Sequence, residues 1–153
     1  MTPAPGVIPP KLADVITDFN ELAVSDRLQL LLEFSDGLPE LPARYAEHPE
    51  LLEPVPECQS PIFLIAELAG SGDEATVHLH FSAPPEAPTT RGFAGILHEG
   101  LDGATAGEVL AVPMDVSNQL GLSEAVSPLR LRGMAGMLGR IKRQVQEKVA
   151  ASQ

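Results

Sequence analysis

At 153 residues the chain has the length of one domain, and Leu, Ile, Val and Phe make up 43 of them, about 28%, well above the roughly 20% below which a chain fails to collapse. Its one cysteine, Cys58, excludes an intramolecular disulfide framework and a multi-cysteine zinc or iron–sulfur site within a single chain. A formal net charge of −11 argues against nucleic acid as a partner, because phosphate binding requires a surplus of Lys and Arg.

Pro3, Pro5, Pro9 and Pro10 make residues 1–10 an extended lead-in, and residues 11–150 form the single domain. The lead-in has neither the basic start nor the apolar run of a signal sequence. The longest aliphatic stretch, residues 62–66, is too short to span a membrane. The expectation is a cytoplasmic protein, not a membrane one, whose lone thiol stays reduced.

Leu12, Val15, Ile16, Phe19 and Leu22 fall at helical spacing. A second helix is expected from Ser25 as N-cap, with Gly37 at its C′ position and Pro39 barring continuation, the two forming an antiparallel hairpin. Residues 38–61 hold six prolines and five acids, a long irregular segment of the kind that compact domains keep for function. A short helix is expected inside it, over residues 43–47.

Residues 62–68 form a nearly continuous apolar strand, and residues 76–82 alternate Val77, Leu79 and Phe81 against His78 and His80. Gly70, Ser71, Gly72 and Asp73 between them give a hairpin turn. Thr89 or Thr90 is expected to cap a helix carrying Phe93, Ile96 and Leu97. Thr105 and Glu108 have the spacing of a capping box. A short helix over residues 115–120 ends at Gly121, and a long last helix presents Met134, Met137, Leu138, Ile141, Val145 and Val149 on one side. The fold class is α+β, with helices packed on a small antiparallel sheet.

Charge is unevenly spread. Residues 130–153 hold six basic groups against one acid, a local +5, while the rest of the chain carries −16. That basic stretch reads either as a docking face or as a solvated helix.

Cys58 is the first candidate for chemistry. Pro56 and Pro61 stiffen its frame, and Glu57, Gln59 and Ser60 beside it are polar. The alternative is a small buried apolar residue. Hydrolysis needs a base and an oxyanion hole; His78 and His80 read as a solvated strand face, and His48 and His98 have no assigned role. Thiol exchange needs less equipment, since a thiolate attacks a sulfur carried on another group. Glu53 and Glu57 would raise the thiol pKa, giving a thiol that is quiet alone.

The segment Glu57-Cys58-Gln59-Ser60-Pro61-Ile62-Phe63 resembles the Gly-Cys-Gln-Ser-x-Val-Trp signature of the SufE family, sulfur acceptors in iron–sulfur cluster biogenesis. Residues 34–41 resemble that family's Leu-Pro turn. Phe81-Ser82-Ala83 with Ala87 and Arg91-Gly92 resembles its strand-end loop. Val126-Ser127-Pro128-Leu129-Arg130 with Gly133-Met134 resembles the start of its last helix. Glu57 stands where many members have Gly, and Phe63 where Trp is frequent. Leu129 and Leu131 stand where polar residues are common.

The resemblance implies an α+β fold like that of the IscU-type scaffolds. It implies that Cys58 accepts sulfur as a persulfide from a cysteine desulfurase (SufS-like), stimulates that enzyme and relays sulfur to a cluster-assembly scaffold. Gln59 and Ser60 would shape the loop. Glu86, Arg91 and Arg130 would support it or meet the partner. It implies no cofactor and no metal on this chain, because the pyridoxal phosphate sits on the desulfurase. The rival reading is a non-catalytic interaction module of the same fold, in which Cys58 packs. A cluster scaffold is disfavoured with one cysteine.

Overall fold

A computed structural model describes residues 7–152. In that span six helices, α1 (Pro10–Glu21), α2 (Val24–Asp36), α3 (Ala43–Ala46), α4 (Pro88–Leu101), α5 (Ala106–Ala111) and α6 (Pro128–Ser152), pack with a three-stranded sheet. Its strands β1 (Glu53–Pro54), β2 (Phe63–Ala69) and β3 (Thr76–Ser82) lie in that order and are antiparallel throughout. The α+β reading stands.

The pleat explains which face is buried. Leu64 pairs with Phe81, Ala66 with Leu79 and Leu68 with Val77. All of these except the partly buried Leu68 are sealed from solvent against α4 and α6. The alternate residues face outward, where Ile65 pairs with His80 and Glu67 with His78. Gly70 (φ 104°) and Gly72 (φ 69°) turn the hairpin in the left-handed region that residues with a Cβ avoid.

The helices differ from expectation in four places. α1 begins at Pro10, where a proline's missing N–H is no loss. α1 thus takes in Pro10, and Pro9 before it is buried; residues 1–6 of the expected lead-in lie outside the described residues. α2 begins at Val24 with Ala23 as its N-cap and no side-chain cap bond, so Ser25 sits inside the first turn. Gly37 ends α2 in the right-handed region (φ −86°), its N–H donating to the Glu33 carbonyl at 3.0 Å.

α4 is capped by Ala87 rather than Thr89 or Thr90, because Pro88 occupies its first position and leaves no N–H there to cap. Thr90 lies within the helix and is buried. The capping box does form: Glu108 N–H donates to Thr105 Oγ1 at 3.1 Å, and Thr105 N–H to Glu108 Oε1 at 2.9 Å. Gly121 ends the 3-10 turn Val116–Leu120 in the left-handed region (φ 67°).

α1 and α2 are not a self-sufficient hairpin. Phe19 and Phe34 stack with ring centroids 5.8 Å apart, but each helix packs mainly on α4. α4 is the central helix and is buried along most of its length. α6 crosses the inner face of β2 and also carries the turn that holds Cys58.

Candidate functional site

The chain approaches β2 through one 3-10 turn, Pro56–Cys58. Proline fixes φ and withholds an N–H, so this proline-rich segment turns on few backbone bonds. Cys58 N–H donates to the Val55 carbonyl and Gln59 N–H to the Pro56 carbonyl, both at 3.1 Å. Gln59 closes the turn at φ 57°, the one non-glycine with positive φ among the described residues. That conformation costs a residue with a Cβ roughly 1–2 kcal/mol, and it redirects the chain into β2. The Gln59 side chain is exposed, and the Ser60 carbonyl accepts from Ile62 N–H at 2.7 Å.

The turn lies along α6, which makes room for it by lacking side chains. A Cβ on Gly133 would stand 3.2 Å from Cys58 Sγ, and one on Gly136 would stand 3.0 Å from Glu57 Cβ. Cys58 Sγ donates to the Gly133 carbonyl at 3.5 Å and is half-buried against the core. Burial pushes the thiol up to about 12, the Glu57 carboxylate adds to the rise, and Arg140 opposes it. The expectation of a quiet thiol has the right direction, but desolvation is its larger cause, and of the two acids expected to act only Glu57 contributes.

Four charged side chains fasten the segment. Arg140 Nη1 donates to Glu57 Oε2 at 2.6 Å, and its Nε lies 3.2 Å from Glu53 Oε2. Arg143 pairs with Glu53 and, at 2.9 Å, with Glu147. Gln144 donates from Nε2 to Glu53 Oε1 at 2.9 Å while its Oε1 accepts from Ala66 N–H at 2.8 Å, so it links β1 to β2 beyond the end of their ladder. The hydrogen bond from Arg140 holds the Glu57 carboxyl below its ordinary value. Burial pulls Glu53 the other way, but its bonds to Arg143 and Gln144 outweigh that and keep it low.

The remaining sequence-derived positions separate. Arg91 donates to three carbonyls, Ser35 at 2.9 Å, Ala83 at 2.8 Å and Leu38 at 3.3 Å, tying α2 to the β3–α4 connection. Glu86 is exposed in that connection, and Arg130 is exposed in the first turn of α6, three residues before Gly133. No hydrogen bond or ion pair among the described residues joins Glu86, Arg91 or Arg130 to Cys58. Arg140, which grips the turn, is legible in the sequence only as a member of the basic stretch, and Glu53 only as a charge near the thiol, not as a partner of α6. The signal available is the spacing Gly133, Gly136, Arg140, which marks one stripe of a helix.

The histidines lie apart from the thiol. His80 is packed on the outer sheet face, 2.7 Å from Glu67 Oε1 and 5.2 Å in ring centroid from Tyr45. It is therefore not the solvated residue expected, whereas His78 is half-exposed, with Nδ1 3.7 Å from Asp102 Oδ1. Both line a cleft of about 440 Å³ with Arg44, Glu67, His98 and Asp102, and Cys58 is not part of its lining. Among the described residues no three His, Cys, Asp or Glu side chains are grouped to hold a metal ion. No helix there is long and apolar enough to cross a membrane.

Fold and site define a class: a small α+β domain that presents one shielded thiol on a proline-braced turn against its last helix. The sequence matches SufE, the "Fe-S metabolism associated domain", over residues 13–145. It is 55% identical over 144 residues to an uncharacterized SufE-like protein of Mycobacterium tuberculosis, covering 94% of this chain and 97% of that one. A SufE-like protein of Rhizobium meliloti is 28% identical, with 92% and 98% covered. The solution structure of a hypothetical protein from Thermus thermophilus superposes with a TM-score of 0.81 at 39% identity, covering 94% of this chain and 99% of that one. The chain belongs to the SufE family, and its role lies in iron–sulfur metabolism.

Proposed function

We propose that the protein is a sulfur acceptor that takes a sulfane sulfur onto Cys58 from a pyridoxal-phosphate-dependent cysteine desulfurase, stimulates that enzyme by clearing it, and relays the sulfur to a cluster-assembly scaffold in the cytoplasm. The observation that carries this reading is the Cys58 thiol itself, the one cysteine of a SufE-family chain, held on a strained turn and kept protonated by burial. A sulfur carrier gains from such a thiol, because a permanently ionised one would be oxidised between deliveries.

The transfer balances without an outside oxidant or reductant. Cys58 loses its proton to solvent, and its thiolate attacks the terminal sulfur of the donor's cysteine persulfide. The donor S–S bond breaks, the donor cysteine leaves as a thiolate with the bonding pair, and Cys58 carries the persulfide. No group on this chain other than the thiol changes its bonding.

Intact mass after mixing the protein with a cysteine desulfurase and free cysteine tests the proposal. The expected result is a gain of about one sulfur mass, removed by reductant and absent from Cys58→Ser. The packing of Cys58 against the core favours a second reading, a docking module without sulfur chemistry. It requires that Cys58→Ser still stimulate the desulfurase and that no sulfur be gained.

A further inference from the structure

Glu57 and Cys58 are consecutive on one turn, and each rests on a glycine of the same stripe of α6. Glu57 lies so close over Gly136 that its carboxylate reaches along the helix to Arg140, with Oε2 2.6 Å from Nη1. The same guanidinium reaches Glu53 with Nε, at 3.2 Å and without hydrogen-bond alignment. Arg140 thus touches a carboxylate on either side of Pro54 and Pro56. Glu53 has further partners in Arg143 and Gln144, whereas Arg140 is the one side-chain partner of Glu57 among the described residues. Apart from the long thiol bond to the Gly133 carbonyl, this pair is the side-chain polar contact that holds the turn onto α6.

We propose that the Glu57–Arg140 pair is the latch that keeps Cys58 shut on α6, with Glu57 as a positioning residue that sets how often the thiol meets solvent. The inference rests on the reading of Cys58 as the sulfur-accepting thiol, and it adds the device that holds it idle. Closed, the latch keeps the sulfur desolvated and puts a carboxylate next to it, both of which favour the neutral thiol. Open, the turn carries the thiol into water, where ionisation is easier. The charged groups facing the turn are Glu57 on the turn itself, Glu53 from β1, and Arg140 and Arg143 from α6.

The test is the rate of Cys58 alkylation by iodoacetamide on the full chain, from neutral to mildly alkaline pH, for wild type, Glu57→Gln, Arg140→Gln and Arg140→Lys. Arg140→Gln separates a latch from a simple field effect. Losing the cation alone slows alkylation, whereas losing the latch speeds it. The expected result is that Arg140→Gln reacts about threefold faster than wild type, the size of a part-exposed ion pair. Glu57→Gln reacts faster still because its carboxylate is gone too, and Arg140→Lys falls between wild type and Arg140→Gln. Added salt should speed the wild type and leave Glu57→Gln unmoved.

A rate for Arg140→Gln at or below that of wild type overturns the latch. Should that variant fail to fold by circular dichroism, a wild-type rate indifferent to salt overturns it equally. Alkylation involves no sulfur donor, so failure here leaves the persulfide experiment standing, and the reverse holds as well.

Discussion

A Cβ on Gly133 would stand 3.2 Å from Cys58 Sγ and 3.3 Å from its Cα, tighter than ordinary contact. Gly133 therefore sets how deeply the thiol sits. Gly133→Ala should push the turn outward by a few tenths of an ångström, return water to the sulfur and bring its pKa down from about 12. The alkylation rate against pH would show this as a midpoint displaced to lower pH, and an unmoved midpoint would mean that the helix yields instead. At this scale the sequence shows Cys58, Gln59 and Ser60 as one short polar motif before β2, because their identities and order are local. It does not reveal Arg140, because the partner of Glu57 lies 83 positions away and only the packed helix brings them together. Arg91 is also placed by long-range contacts, its three carbonyl bonds tying α2 to the β3–α4 connection.

The elements follow the hydrophobic period where they are long and amphipathic. The hairpin of β2 and β3 and the helices α1 and α6 are legible for that reason. β1 is not, since two residues with a proline carry no period, and Gln144 stands in as part of the pairing. The central position of α4 is also hidden in the pattern, although its glycines record it. A Cβ at Gly95 would meet the Phe34 carbonyl oxygen at 2.2 Å, and one at Gly92 would meet the Leu31 carbonyl at 2.6 Å. Backbone cannot yield as a side chain can, so Gly95→Ala should cost about 3 kcal/mol or more. Gly139 on α6 is the control, since a Cβ there meets only the flexible end of Met114 at 3.4 Å. Gly139→Ala should stabilise by about 0.5–1 kcal/mol through helix propensity alone. Urea unfolding of both variants measures the pair, and equal effects would disprove the close packing of α4 on α2.

Across the whole molecule the acidic body and the basic last helix neutralise each other at close range. Arg140 and Arg143 are spent on Glu53, Glu57 and Glu147, and Lys142 and Lys148 on the carbonyls of Val112 and Ala66. The basic stretch is thus neither a free docking face nor a solvated one for most of its length; Arg130 and Arg132 at its start are the exposed cations without an ion pair among the described residues. Acid should undo the fold through its specific pairs, even as the net charge of −11 shrinks toward the pI of about 4.6. Burial pushes Glu67 up, but hydrogen bonds from Tyr45, Arg44 and His80 outweigh it and bring the carboxyl down to about 2. A carboxyl lower in the folded state than its ordinary 4.5 adds stability that is whole above that value and is lost as pH falls toward about 2. His98, which burial shifts downward from 6.5, contributes in the same direction, its share fading below that pH. The urea midpoint should therefore decline from near-neutral pH and steepen in its fall below pH 4.5, while Glu67→Gln starts lower and declines less. The gap between the two proteins closes as the Glu67 carboxyl becomes neutral. A gap that stays constant down to about pH 2 would mean that the outer-face network of Glu67, Tyr45, Arg44 and His80 stabilises the fold by packing rather than by charge.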